Sequence, residues 1–250
     1  MIAITREVSP SIARAELTHL ERLPIDYPRA VAQHEDYCDA LRELDVEVRV
    51  LPADAAYPDC VFVEDTAIVL DELAIITRPG AASRRGETTV MAEALAPLRT
   101  LVTIEAPGTI DGGDVLHLGR TLYIGRSDRT NDDAIAQVAK LVQPHGYEVV
   151  PVTFHGALHL KTAATRVSED SLVINPEWVD RSIFRGFRTI ACHPDEPFAA
   201  NALMIGPTLI GSAQYPRTLD RLQRVASVMA IDSTELAKAE GGVTCCSILL

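Results

Sequence analysis

The sequence predicts an α/β fold made of a repeated unit, and two regularities predict it. Short apolar runs rich in Val, Ile and Leu alternate with stretches of helical period along the whole chain. One order of elements also recurs: strand, tight turn, strand, helix. Residues 65–77 carry the first hairpin, followed by a helix near Glu87. Residues 114–125 carry the second, before a helix near Asn131, and residues 201–211 the third, before a helix near Arg217. A looser copy starts at Lys161. The spacing is roughly 45 residues, in the range of closed repeat architectures. A fifth unit is split, with residues 245–250 supplying one strand and residues 1–6 the other. Such closure would bring the termini together and set the polar start of each repeat around a common axis. Pattern alone leaves open an ordinary mixed sheet whose hairpins merely look alike.

In chain order, strands are expected at 2–6, 46–51, 67–70, 73–77, 100–105, 115–118, 122–125, 148–154, 172–174, 202–205, 208–211 and 245–249. Each is apolar and bounded by Gly, Pro, Asp or Glu. Helices are expected at 28–44, 88–95, 131–142 and 217–229. In the first, Val31, His34, Cys38, Leu41 and Leu44 fall at helical spacing. In the third, Thr130 and Asn131 precede two aspartates, a capping signal with acid in the first turn. No Pro/Ser-rich linker divides the chain, so residues 1–250 are expected to form one catalytic domain.

The 250 residues suffice to bury a full core, and 47% hydrophobic against 23% charged residues is the balance of a globular protein rather than a disordered one. The net charge of −12 argues against nucleic acid or an anionic membrane as partner and is compatible with a cationic small substrate. No apolar run reaches transmembrane length and no signal peptide is expected. Five cysteines with no metal-ligand spacing are read as reduced thiols in a cytoplasmic protein.

The polar residues at strand edges carry the chemistry. Gly241-Gly242-Val243-Thr244-Cys245-Cys246 puts a thiol at the opening of the last strand, where alternation would let only one of the two thiols face a site. Two buried core cysteines would be the bland reading. Leu158-His159-Leu160-Lys161-Thr162 offers an imidazole that can take or give a proton. Glu64 and Asp65 interrupt an apolar stretch with no turn residue beside them, and charges in would-be core are costly unless paired. Asp111 and Asp114 flank two glycines. Carboxylates held in a cleft suit a guanidinium or amidinium, which presents planar N–H donors. Arg84 and Arg129 are either surface charges or holders of a carboxylate.

Taken together these stretches resemble the dimethylarginine dimethylaminohydrolase family, guanidine-modifying enzymes of the pentein superfamily. The resemblance rests on Gln33-His34-x-x-Tyr37 and on Pro58-Asp59-x-Val61-Phe62-Val63-Glu64-Asp65-Thr66-Ala67. It continues through Ile76-Thr77-Arg78-Pro79-Gly80, Ser83-Arg84-Arg85-Gly86-Glu87 and Asp111-Gly112-Gly113-Asp114. Ile124-Gly125-x-Ser127-x-Arg129-Thr130-Asn131, the His159 motif, Tyr215-Pro216-Arg217-Thr218 and the Cys245 tail complete it. These motifs span nearly the whole chain in family order.

The resemblance implies a five-module pseudo-symmetric α/β propeller whose fifth module is closed by the N- and C-terminal strands. It implies Cys245 as nucleophile, His159 as general acid/base and Asp111 as its acidic partner. Asp59, Glu64 and Asp65 match substrate-binding and supporting acids, and Arg84 and Arg129 match the pair that holds a substrate α-carboxylate. Leu17 and Ala239 match positions meeting the α-amino group through backbone carbonyls, and residues 17–23 resemble a mobile lid. The implied reaction converts Nω-methylated arginine to citrulline through a covalent cysteine adduct, with no metal or organic cofactor. The implied partner is a small molecule, with no nucleic acid or membrane, and the assembly a monomer or homodimer. An arginine deiminase-like or other guanidine hydrolase is the nearest alternative. A non-catalytic binding protein of the same fold is the remote one.

Overall fold

The computed structural model describes residues 1–250 and contains five three-stranded sheets. β1 (Ile2–Arg6) leads to α1 (Tyr27–Glu43) and β2 (Glu47–Leu51). β3 (Ala67–Val69), β4 (Leu73–Ile76), α2 (Thr88–Leu95) and β5 (Thr100–Thr103) form the next unit. β6 (Val115–Leu118), β7 (Thr121–Arg126), α3 (Asp132–Val142) and β8 (Glu148–Thr153) repeat it. α4 (Leu160–Ala163), β9 (Ala164–Arg166), β10 (Ser171–Ile174) and β11 (Arg188–Ala191) follow. The last full unit is β12 (Ala202–Ile205), β13 (Thr208–Ser212), α5 (Pro216–Leu222) and β14 (Ser227–Ile231). α6 (Thr234–Ala237) and β15 (Ile248–Leu249) end the chain.

All five sheets share one connectivity. The central strand pairs antiparallel with the strand before it in the unit and parallel with the one after: β4 with β3 and β5, β7 with β6 and β8, β10 with β9 and β11, β13 with β12 and β14. In the fifth sheet β1 pairs antiparallel with β15, with Ala3 opposite Leu249, and parallel with β2. The two chain ends therefore close the ring. This resolves the repeat in favour of five modules over one mixed sheet.

Helix boundaries follow from capping. Asn131 accepts the Ala134 N–H at 3.0 Å, Asp132 and Asp133 occupy the first turn, and Ala134, Ile135, Val138 and Val142 face the core. Asp26 caps α1 through the Arg29 N–H at 3.2 Å, and Pro28 sits in the first turn, where its missing donor costs nothing. The apolar core is divided into clusters between neighbouring units, the largest joining α1 to residues near the C-terminus such as Val243, Cys245 and Cys246.

The structure departs from expectation in three places. The helix expected at 217–229 stops at Leu222, and Ser227–Ile231 instead completes a sheet beside β13. There tertiary pairing overrides a helical reading of half-buried residues. β9 and β11 were also not expected, because the fourth unit replaces its crossover helix with a short 3-10 turn at Arg181–Ile183. Finally, Cys245 does not lie in the last strand. Thr244–Cys246 form a 3-10 turn and the strand begins at Ile248.

That turn belongs to a set. Short helical turns at Val63–Thr66, Gly112–Asp114 and Leu160–Ala163 immediately precede β3, β6 and β9, and Thr244–Cys246 lies one residue before β15. Glu64, Asp65, Asp111, Asp114, His159 and Cys245 thus sit in or beside the equivalent turn of four of the five units. The ring brings that place together near its axis.

Candidate active site

These turns wall a small chamber of about 10 Å³. Cys245, His159, Asp65, Asp59, Arg84, Arg129 and Ala239 line it, with Glu16, Phe62, Leu158, Glu240 and Gly241. Asp111 lies directly behind the histidine and is fully buried.

His159 is the N-cap of α4, in extended conformation, and its side chain does not cap the helix. Its Nε2 lies 3.0 Å from Oδ2 of Asp111, and its Nδ1 lies 3.8 Å from Oδ1 of Asp65. Burial pulls the imidazole toward neutrality. The Asp65 charge, the Asp111 hydrogen bond and the nearby Asp114 outweigh it and raise the pKa to about 9. The ring is therefore an imidazolium at neutral pH. Asp111 is itself fixed, since its Oδ1 accepts the Gly80 N–H at 2.9 Å.

The Cys245 Sγ accepts the Gly242 N–H at 3.3 Å. Burial, then the charges of Glu64 and Asp65, push the thiol up to about 12, so it is protonated in this state. Strand alternation does not separate the two thiols, because both lie in a turn. Cys245 nevertheless lines the chamber, whereas Cys246 is 2% exposed and its thiol points to the Gly242 carbonyl at 3.6 Å.

Asp65 joins the histidine to a cation. Its Oδ2 accepts from Arg84 Nη1 at 2.6 Å and its Oδ1 accepts the Gly113 N–H at 2.9 Å. Burial opposes its ionisation, but His159 and Arg84 hold its pKa down at about 2. Arg84 is more committed than expected. Its guanidinium also donates to both oxygens of Glu87 (3.2 and 2.9 Å) and to the Phe62 carbonyl at 3.0 Å. Four of its bonds thus fix the chamber's own acids and backbone, which leaves little capacity for a ligand. Arg129 is freer: Nη2 donates to Thr18 Oγ1 at 3.1 Å, and Nη1 stands 3.8 Å from Asp111.

Asp59 lines the chamber and accepts the Glu16 N–H at 3.1 Å through Oδ2, with burial raising its pKa. Glu64 does not line the chamber. It turns to the other side of the ring, where Lys161 Nζ donates to Oε1 at 2.5 Å and Thr244 Oγ1 to Oε2 at 2.9 Å. It acts on Cys245 through charge and through the Thr244 turn rather than by contact with a ligand. Leu17 is half-buried in the segment covering the chamber, between Glu16 and Thr18, and Ala239 forms part of the wall.

Several site residues were given no role from sequence. Asp114 sits behind the histidine, takes the hydroxyls of Ser127 and Thr130 (2.6 Å each) and the Leu160 N–H at 2.9 Å, and is raised to about 6 by burial. Its bond to Leu160 positions the residue after His159. Gly113 has no side chain because a Cβ there would stand 2.6 Å from His159 Nδ1 and 2.8 Å from Asp65 Oδ1. The Gly-Gly spacing was the available signal. Glu240 gave none. Donor atoms of Asp65, Asp111 and His159 lie within 4.8 Å of one another, a spacing a cation could use. A metal there would have to displace the proton that keeps His159 an imidazolium.

Known proteins resemble this chain in sequence and in fold. Residues 21–189 match the family model described as N,N dimethylarginine dimethylhydrolase, eukaryotic. An N(G),N(G)-dimethylarginine dimethylaminohydrolase of Pseudomonas aeruginosa is 38% identical over 89% of each chain. One of Streptomyces coelicolor is 39% identical over 99% of this chain and 96% of its own. A solved structure of the P. aeruginosa enzyme, a cysteine-to-serine variant complexed with citrulline, has a TM-score of 0.95 at 36% identity and covers 99% of this chain and 98% of that one. The N-terminal domain of a cyanobacterial arginine dihydrolase is 21% identical with a TM-score of 0.89, covering 99% of this chain and 96% of that one, a likeness of fold.

Proposed function

The chain belongs to the dimethylarginine dimethylaminohydrolase family, and on that premise we propose that its chamber hydrolyses Nω-methylated arginine to citrulline and a methylated amine. The observation that carries this reading is the shared wall of a buried thiol, Cys245, and a proton-bearing imidazole, His159, with the acids Asp59 and Asp65 beside them. Those groups suit attack on a cationic guanidinium carbon.

The steps follow from the charges. The guanidinium enters a wall rich in carboxylates, and its positive charge lowers the thiol pKa, so Cys245 releases its proton to solvent as substrate binds. The Cys245 sulfur attacks the central carbon and a tetrahedral adduct forms. His159 donates its proton to the methylated nitrogen, the C–N bond breaks and the amine departs, leaving an S-alkylthiouronium. The neutral imidazole then takes a proton from water as the water oxygen attacks the same carbon. The C–S bond breaks, the hydroxyl proton of the adduct passes to the departing sulfur, citrulline leaves, and Cys245 and His159 return to their starting state. Asp111 orients the ring and supports its charge. Arg129 supplies the cation for a substrate α-carboxylate, while Arg84 serves chiefly to hold Asp65 in place.

We read residues 1–250 as one catalytic unit, since the ring is closed by its own two ends. The five free, buried cysteines support a reducing, cytoplasmic setting. No helix is long and apolar enough to cross a membrane.

The test is citrulline release from asymmetric dimethylarginine, monomethylarginine, arginine and agmatine measured side by side, with Cys245→Ala as the blank. Preference for methylated arginines, abolished in the blank, is the expected result. Preference for arginine would retain the chemistry and change the substrate. Equal turnover in the blank would remove Cys245 from the mechanism.

A further inference from the structure

The reacting atoms are closed off. Cys245 is 7% and His159 4% exposed, and the chamber is too small and enclosed to exchange an amino acid without movement of a wall. Its cover is the segment 15–23, of which Glu16 lines the chamber and Thr18 bonds Arg129; these residues carry no helix or strand and are largely exposed. One side chain grips this cover at its middle. The Glu240 Oε2 accepts the Thr18 N–H at 3.0 Å, and its Oε1 accepts the N–H groups of His19 and Leu20, both at 2.6 Å. Three consecutive peptide donors converging on one carboxylate form an anion cradle, and charge-assisted bonds of this kind are the strong ones.

The position of Glu240 is itself unusual. Its φ is +60°, in the left-handed region that favours glycine, although two glycines follow immediately. A strained backbone maintained at a residue whose side chain makes three bonds points to a role for that side chain. Glu240 also adjoins Ala239 in the chamber wall and stands five residues before Cys245. Two further ties of the cover run to groups of the chamber, the Glu16 N–H to Asp59 and Thr18 Oγ1 to Arg129; Ser83 also bonds the Glu16 carboxylate, and Arg22 bonds the Ala13 and Ala15 carbonyls.

We propose that Glu240 is the latch of the cover, a positioning residue that sets how often residues 15–23 open and how firmly they close over bound substrate. The role rests on the chamber being the catalytic site. Closing places Glu16 and Thr18 against Asp59 and Arg129, so the latch aligns an acid of the wall with the cation assigned above to the substrate α-carboxylate. Releasing it weakens substrate retention more than it slows the chemical steps.

Amide hydrogen exchange and thiol alkylation test this without turnover. In the wild-type protein, the Thr18, His19 and Leu20 amides should exchange at least about tenfold more slowly than in an unstructured peptide, despite their exposure. In Glu240→Gln and Glu240→Ala, that protection should fall by about tenfold, and iodoacetamide should alkylate Cys245 several-fold faster. The KM for dimethylarginine should rise about tenfold with a smaller change in kcat, the loss being greater in Ala than in Gln. Unprotected amides at 18–20 in the wild type would overturn the proposal even if neither variant folds. So would folded variants with unchanged exchange and alkylation. Protected amides in a protein that turns over no guanidine would sink the catalytic reading and leave the latch standing.

Discussion

Asp111 holds His159 from behind, with Oδ2 at 3.0 Å from Nε2, while the backbone of Gly80 holds Asp111 in turn. The carboxylate thus orients the ring and helps keep it charged. Asp111→Asn preserves shape and removes that charge. The His159 pKa should fall below about 9, and kcat should drop about 10²–10⁴-fold, the range for losing a positioned acid. An NMR titration of the His159 ring, alongside steady-state rates, checks both. An unmoved titration would mean that Asp65 and Asp114 carry the effect instead.

The pH dependence of kcat/KM follows from the order of two pKa values. The thiol stands at about 12 and the imidazolium at about 9, so below pH 9 the pair carries two protons. The reactive pair, thiolate with imidazolium, carries one. The value of kcat/KM should therefore climb close to tenfold per pH unit through neutrality, level off near 9 and fall only in strong alkali. A bell centred near pH 7 would instead mean a preformed thiolate.

The same histidine makes stability pH-dependent. Its folded pKa of about 9 lies above the unfolded value of 6.5, so its contribution is fully present below 6.5 and is lost as pH rises through 9. The loss is of the order of 3 kcal/mol across that window. Urea melts at pH 6 and pH 9 should show it in the wild-type protein and not in His159→Gln. Parallel curves for the two proteins would count against a charged resting ring.

Gly113→Ala should separate geometry from stability. The new methyl would press on His159 Nδ1 at 2.6 Å and Asp65 Oδ1 at 2.8 Å. Overpacking of this kind costs about 1–3 kcal/mol, while displacing a catalytic group by a fraction of an ångström lowers kcat by about 10²-fold. Retained kcat in the folded variant would show that the ring position is not critical.

Much of this site was legible because it repeats. Glu64, Asp65, Asp111, His159 and Cys245 each stood as a polar interruption at the start of an apolar strand, and the ring superimposes those starts. The Asn131 cap and the pairing of the chain ends were legible for similar local reasons. Arg84 was legible as a cation but not as the partner of Asp65 and Glu87, since its direction depends on how the Ala82–Glu87 turn packs under Phe62. Glu240 was illegible because its partners are backbone amides more than two hundred residues away, which leave no mark on side-chain pattern. The turn at Cys245 replaced a strand because its donors go to neighbouring polar groups: the Thr244 N–H bonds Asn201, and the Cys245 N–H bonds the Gly242 carbonyl.

Lys161 and Glu64 face away from the chamber yet should govern its thiol with opposite signs. Their side chains are 16% and 12% exposed, so the pair is largely desolvated. Lys161→Met leaves the Glu64 carboxylate without its cation and should cost about 3 kcal/mol, the lower end for a broken buried pair. Glu64→Gln with Lys161→Met should recover most of that loss, because no charge is left stranded. Glu64 raises the Cys245 pKa and Lys161 lowers it. At fixed pH, Glu64→Gln should therefore speed iodoacetamide alkylation of Cys245, and Lys161→Met should slow it. Since neither residue lines the chamber, a simple loss of access cannot produce opposite signs. Equal rates in both folded variants would show that the thiol does not sense this pair.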